Sequence, residues 1–81
     1  MLHVEVYIPA VMKNYEFSLN EHVKTAVLIE EMAHMISQKE QKPWKKDGRL
    51  LLCNVSRQCL LPGEKTLYQC RVQPGSRLML L

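Results

Sequence analysis

The hydrophobic period of this chain changes along its length, and the order of those changes limits the folds open to it. In residues 2–8, Leu2, Val4, Val6 and Ile8 alternate with His3, Glu5 and Tyr7. A period of two rich in β-branched residues describes a strand with one face in a core. Pro9 ends it, residues 10–14 supply a turn, and Tyr15, Phe17 and Leu19 then alternate with Glu16 and Ser18. The pattern predicts an antiparallel hairpin with both apolar sets on one side.

From Asn20 the period becomes helical. Asn20 is the expected N-cap, with Glu21 in the positive first turn. Up to about Gln38, Ala26, Leu28, Ile29, Met32, Ala33, Met35 and Ile36 share one face, opposite Lys24, Glu30, Glu31, His34 and Gln38. That is an amphipathic helix laid on a sheet, with Val23 and Val27 left on its polar side. Lys39 and Lys42 suit the negative helix end, and Pro43 enforces the stop. A polar connection over 39–49 leads to a third strand at Leu50–Cys53, a short fourth at Cys59–Leu61, a brief turn or 3₁₀ segment at Lys65–Tyr68 and a last strand at Arg77–Leu81. The order is ββαββ with a final β. It predicts an α+β layout with one helix on one face of a mixed sheet, the first and last strands central and parallel.

With 81 residues, the chain has room for a single domain, 1–81, and one core. A compact docking module fits that size better than a deep cleft does. The apolar fraction of 47% argues against disorder. No apolar run is long enough to span a bilayer, and the start MLHVEVYIPA lacks the pattern of a signal peptide. A cytoplasmic protein without direct membrane insertion is expected.

Cys53, Cys59 and Cys70 form no C-x-x-C pair, which speaks against a disulfide framework or a structural zinc. They read as small buried cysteines, and Met32 and Met35, at helical spacing, as core filler. Glu30 and His34 lie four apart on the helix but lack an evident third ligand. No metal, cofactor or catalytic residue is therefore expected, and the protein is read as a non-enzyme.

Two surfaces remain. Strand alternation turns Leu50, Leu52, Leu78 and Leu80 inward and Leu51, Met79 and Leu81 outward. If the third and last strands are neighbours, these outward side chains and Tyr7 form one apolar patch of the kind a protein partner or a second copy covers. The second surface is the connection carrying Lys39, Lys42, Trp44, Lys45, Lys46 and Arg49. Charge is unevenly spread. Residues 1–38 hold Lys13 and Lys24 against five glutamates, a net −3, and residues 39–81 hold nine Lys and Arg against Glu40, Asp47 and Glu64, a net +6. Such a loop could stack on single-stranded nucleic acid or grip an acidic protein. The aromatic fraction of 6% and overall charge of +3 argue against nucleic acid. The plainer reading is a solvated loop with Trp44 folded back on the core.

This element order resembles that of ubiquitin. Arg49-Leu50-Leu51-Leu52-Cys53 resembles its third strand, and Lys65-Thr66-Leu67 followed by Cys70, Val72 and Gln73 resembles the stretch leading to its last. The resemblance implies a β-grasp (ubiquitin-like) fold. The chain is also similar to the YukD/EsaB family, free-standing bacterial ubiquitin-like proteins associated with type VII secretion. The matching features are Tyr15 within Lys13-Asn14-Tyr15-Glu16-Phe17, Val23-Lys24 at the helix start, and the strand from Gly75 to Leu81. That resemblance implies an accessory protein that docks on a cytoplasmic domain of the membrane machinery. Conjugated relatives and sulfur carriers need a flexible Gly-Gly carboxylate. The sequence ends Met79-Leu80-Leu81 with no glycine after Gly75, so neither conjugation nor sulfur transfer is expected of it, and a diverged sulfur carrier would be inactive.

Overall fold

The structure is a computed structural model that describes residues 1–41 and 50–81. Its elements are β1 (Leu2–Ile8), β2 (Lys13–Leu19), α1 (Thr25–Glu40), β3 (Leu52–Asn54), β4 (Cys59–Leu61) and β5 (Arg77–Leu80). The five strands make one mixed sheet ordered β2-β1-β5-β3-β4. β1 and β5 run parallel near its centre, with Glu5 beside Arg77, Val6 beside Leu78 and Tyr7 beside Met79. Every other pairing is antiparallel. The α+β layout expected from the periodicity is the one formed, in the β-grasp arrangement that the resemblance to ubiquitin implies.

Alternation decides the two faces. Val4, Val6, Ile8, Phe17, Leu19, Leu52, Leu61, Leu78 and Leu80 are buried on the inner face, and Leu28, Met32 and Ile36 of α1 join the same cluster. Leu67 and Val72, from the loop before β5, complete the core. Leu50 and Val23 pack against it half-buried.

Helix α1 departs from the sequence reading at its start. Asn20 does not cap it; its Oδ1 accepts the His22 N–H at 2.9 Å, closing a local turn. The helix begins at Thr25, without a side-chain cap at Lys24 and without an acidic residue in its first turn. Its free N–H groups go instead to the loop after β4. Thr25 N–H donates to the Lys65 carbonyl and Ala26 N–H to the Gly63 carbonyl, both at 2.9 Å. The buried Thr25 hydroxyl also donates to Lys65 O, at 2.7 Å. These bonds satisfy donors that a helix cannot pair by itself. They also bring the loop so close that a Cβ on Gly63 would lie 3.3 Å from the Ala26 Cβ, a tight contact that a larger residue there would have to relieve by a small shift.

The buried stripe is narrower than the apolar face read from the sequence and holds Thr25, Leu28, Met32 and Ile36. Ala26 and Met35 therefore lie in solvent, not in the expected core, and Ile29 and Ala33 are half-buried. Val23 precedes the helix and turns inward. The helix ends at Glu40, where Gln41 adopts a left-handed conformation with φ 55° and its N–H returns to Ser37 and Gln38 carbonyls. Strand bounds shift too, since β2 starts at Lys13 and β3 runs Leu52–Asn54. Asn54 is buried and accepts the Arg57 N–H through Oδ1 at 3.3 Å, which holds the β3–β4 turn. The cysteines are not core residues: Cys59 is exposed, and Cys53 and Cys70 are half-buried.

The two helix methionines should therefore behave differently. Met32 is wholly buried and Met35 is 40% exposed. Met32→Ala is expected to cost about 2–5 kcal/mol and Met35→Ala under about 0.5 kcal/mol in urea unfolding followed by circular dichroism. Equal costs would contradict the placement of the helix.

Candidate functional site

The sheet face away from α1 is uncovered among the described residues, and strand register arranges its side chains in rows. Asn14 stands beside Tyr7, Tyr7 beside Met79, Met79 beside Cys53, and Cys53 beside Leu60. One row thus crosses all five strands, and four of its five members are aromatic, aliphatic or sulfur-bearing. Toward the C-terminal end of β5, Leu51 and Leu81 exchange two backbone hydrogen bonds of 3.1 and 2.8 Å, which sets them side by side. Toward the other end, Glu16 stands beside Glu5 and Glu5 beside Arg77. The Val55 N–H donates to the Arg77 carbonyl at 2.9 Å.

The face is apolar on β3, β4 and the C-terminal end of β5 and charged along the rung Glu16, Glu5 and Arg77. Leu51 (49% exposed), Leu60 (54%), Leu81 (45%) and Val55 (41%) leave large apolar area in water. Tyr7, Cys53 and Met79 are half-buried between them. Glu5, Tyr7, Asn14, Val55, Arg77 and Met79 line a shallow depression of about 400 Å³. A shallow apolar face with a charged margin suits a protein surface better than a small substrate, which needs a deeper enclosure.

Tyr7, Leu51, Met79 and Leu81, the four residues singled out from the sequence, are brought together on this face. Sequence reasoning missed Cys53, Val55 and Leu60. Cys53 and Val55 have the same parity as Leu51, so alternation could have found them. Leu60 needs the β3–β4 register. Lys42, Trp44, Lys45, Lys46 and Arg49 lie outside the described residues, as does Pro43. Glu30 and His34 are exposed on α1, and among the described residues no three His, Cys, Asp or Glu are grouped to hold a metal ion.

A polar clasp closes the opposite edge of the molecule. The Tyr15 hydroxyl donates to Glu40 Oε2, and Lys13 Nζ donates to the same carboxylate at 3.0 and 3.3 Å. Lys39 Nζ sits 5.5 Å from the Tyr15 ring centre. The clasp ties the C-terminal turn of α1 to strand β2. The hydrogen bond to Glu40 is the main cause that raises the Tyr15 pKa, helped by burial and by the carboxylate's charge.

No protein-family model matches the chain, and no curated protein matches it. Solved structures do. The EccD5 ubiquitin-like domain from Mycobacterium xenopi is 22% identical, with a TM-score of 0.74 over 99% of this chain and 91% of that one. The ubiquitin-like domain of an Arabidopsis thaliana protein is 15% identical, with a TM-score of 0.73 over 99% of this chain and 74% of that one. A chain of the toluene 4-monooxygenase HD complex is 10% identical, with a TM-score of 0.78 over 98% of this chain and 94% of that one. At such identities the likeness is one of fold. The protein has the ubiquitin-like β-grasp fold, and that fold by itself does not decide what the chain does.

Tyr15 supplies a pH test of the clasp. Its pKa in the folded state lies above the ordinary phenol value of about 10. Its contribution is therefore complete below that value and is lost as pH rises through the raised one. Thermal melts above pH 10 should show a loss of stability in the wild type that is smaller in Tyr15→Phe. Identical pH profiles would contradict the Tyr15–Glu40 contact.

Proposed function

We propose that this protein is a ubiquitin-like docking module that acts by binding another protein through the outer face of its sheet, not by catalysis. The observation that carries the reading is the row Tyr7–Met79–Cys53–Leu60 with Leu51 and Leu81 beside it. It is a contiguous apolar surface on strands whose other face is locked into the core. Exposed apolar side chains held on a rigid sheet bind a partner without first paying much ordering entropy, and a cluster of them marks interaction sites more often than scattered leucines do.

The proposed context is bacterial type VII secretion, with the chain as a cytoplasmic accessory or regulatory component. Two things support it: the similarity of Tyr15, Val23-Lys24 and the Gly75–Leu81 strand to the YukD/EsaB family, and a fold shared over nearly its whole length with the EccD5 ubiquitin-like domain. The partner would be a cytoplasmic domain of the membrane machinery.

The test is a pull-down from membrane extract of the native cell, comparing wild type with Leu51→Asp/Met79→Asp after circular dichroism shows that the variant folds. Wild type should recover a secretion-machinery component, identified by mass spectrometry, and the variant should recover at least about tenfold less. Equal recovery would move the docking surface elsewhere. Recovery of no machinery component by either protein would remove the secretion role.

A further inference from the structure

The charged margin of the outer face is internally unbalanced. Glu5 and Glu16 are directly opposite each other on β1 and β2, a like-charge placement that is unfavourable. Arg77 flanks Glu5 from the other side, yet among the described residues Arg77 makes no ion pair; the pairs present are His3–Glu16 and Lys13–Glu40. One row beyond this charged rung lies the apolar rung of Tyr7 and Met79, on the same two strands. Each rung therefore sets unlike but complementary side chains on neighbouring strands.

We infer that this face is self-complementary and pairs with a second copy of the chain about a two-fold axis lying between β1 and β5 and parallel to them. Rotation about that axis lays β1 of one copy over β5 of the other and keeps every rung level. Glu5 then meets Arg77 of the second copy, and Arg77 meets its Glu5. Tyr7 meets Met79 twice in the same way, and Glu16 comes over Val55, next to the second copy's Arg77. Each guanidinium gains a pair of carboxylates, and Glu5, which among the described residues makes no ion pair within one chain, gains a counter-charge. An axis along β5 itself would set Arg77 on Arg77 and is excluded by repulsion. Stacked sheets cross at about 30°, and the rungs nearest the axis keep their contacts under that rotation.

The area sets the strength. With the axis between β1 and β5, four strands lie over strands of the second copy and β4 overhangs, so the overlap spans three strand spacings, about 14 Å, and the longest strands run about 23 Å. In plan that is roughly 300 Å² per copy, well under half of the 800 Å² typical of stable interfaces. The pair is accordingly weak, reversible and dependent on concentration and salt. The inference rests on the docking reading of the outer face and supplies its occupant when no other protein is bound.

Sedimentation velocity of the full chain over a concentration series tests it. Wild type is expected to show a reversible monomer–dimer equilibrium that weakens with salt. Glu5→Arg alone and Arg77→Glu alone put like charges at both contacts and should each weaken dimerisation by at least about tenfold. An equimolar mixture of the two variants should recover it. In that heterodimer one chain carries two bases and the other two acids, so both contacts are attractive. Misfolding of either variant cannot imitate that recovery. A wild type that stays monomeric, single variants that dimerise as the wild type does, or a mixture no more associated than its parts would each overturn the inference. The pull-down with Leu51→Asp/Met79→Asp reads the docking surface separately, so failure here leaves that comparison standing.

Discussion

The parallel pairing of β1 with β5 is the contact on which the rest of the structure depends. It joins residues from opposite ends of the chain, Val6 beside Leu78 and Tyr7 beside Met79. Without it the sheet would fall into the two-stranded β1–β2 hairpin, marginal in water by itself, and a separate three-stranded piece of β5, β3 and β4. The pairing is secured from the inside, because Val4, Val6, Leu78 and Leu80 are buried at 0–1% exposure beneath Leu28, Met32 and Ile36 of the helix. The same alternation that sends these side chains inward obliges Tyr7, Met79 and Leu81 to point the other way. The outward placement of these apolar side chains thus follows directly from the requirement for a core.

The helix is positioned by long-range backbone contacts more than by its own caps. Loop carbonyls of Gly63 and Lys65 take the N–H groups of Ala26 and Thr25, while Glu40 is held by Tyr15 and Lys13 of β2. Both ends of α1 are therefore tied to other elements of the fold. Such ties keep the inner face covered and leave the outer face as the broad apolar surface of the sheet.

Much of this was legible in the sequence because strand and helix periods are set by local geometry. The alternation of residues 2–8 gave β1 to the residue, and the inward set Leu52, Leu78 and Leu80 followed from the same rule. Tyr7, Leu51, Met79 and Leu81 were found for the same reason. The helix start was not legible. Asn20 followed by Glu21 has the local chemistry of an N-cap, but the competing partner, the 63–65 backbone, lies some forty residues away. Met32 lies on the four-residue row Leu28–Met32–Ile36 that meets the sheet, while Met35 lies at the margin of the broad apolar face and is left in solvent. Leu60 and the charged rung of Glu16, Glu5 and Arg77 depend on strand register, which no single segment encodes.

The central claim is that the outer sheet face is where this protein meets its partner. Chemical-shift mapping on the isotope-labelled chain, titrated with a secretion component recovered in the pull-down, addresses it residue by residue. The account predicts that the largest changes fall on Tyr7, Leu51, Cys53, Leu60, Met79 and Leu81, with the exposed helix residues Val27, Glu31 and Met35 unmoved. Changes centred on the helix or on the 42–49 segment, with the sheet face silent, would contradict it.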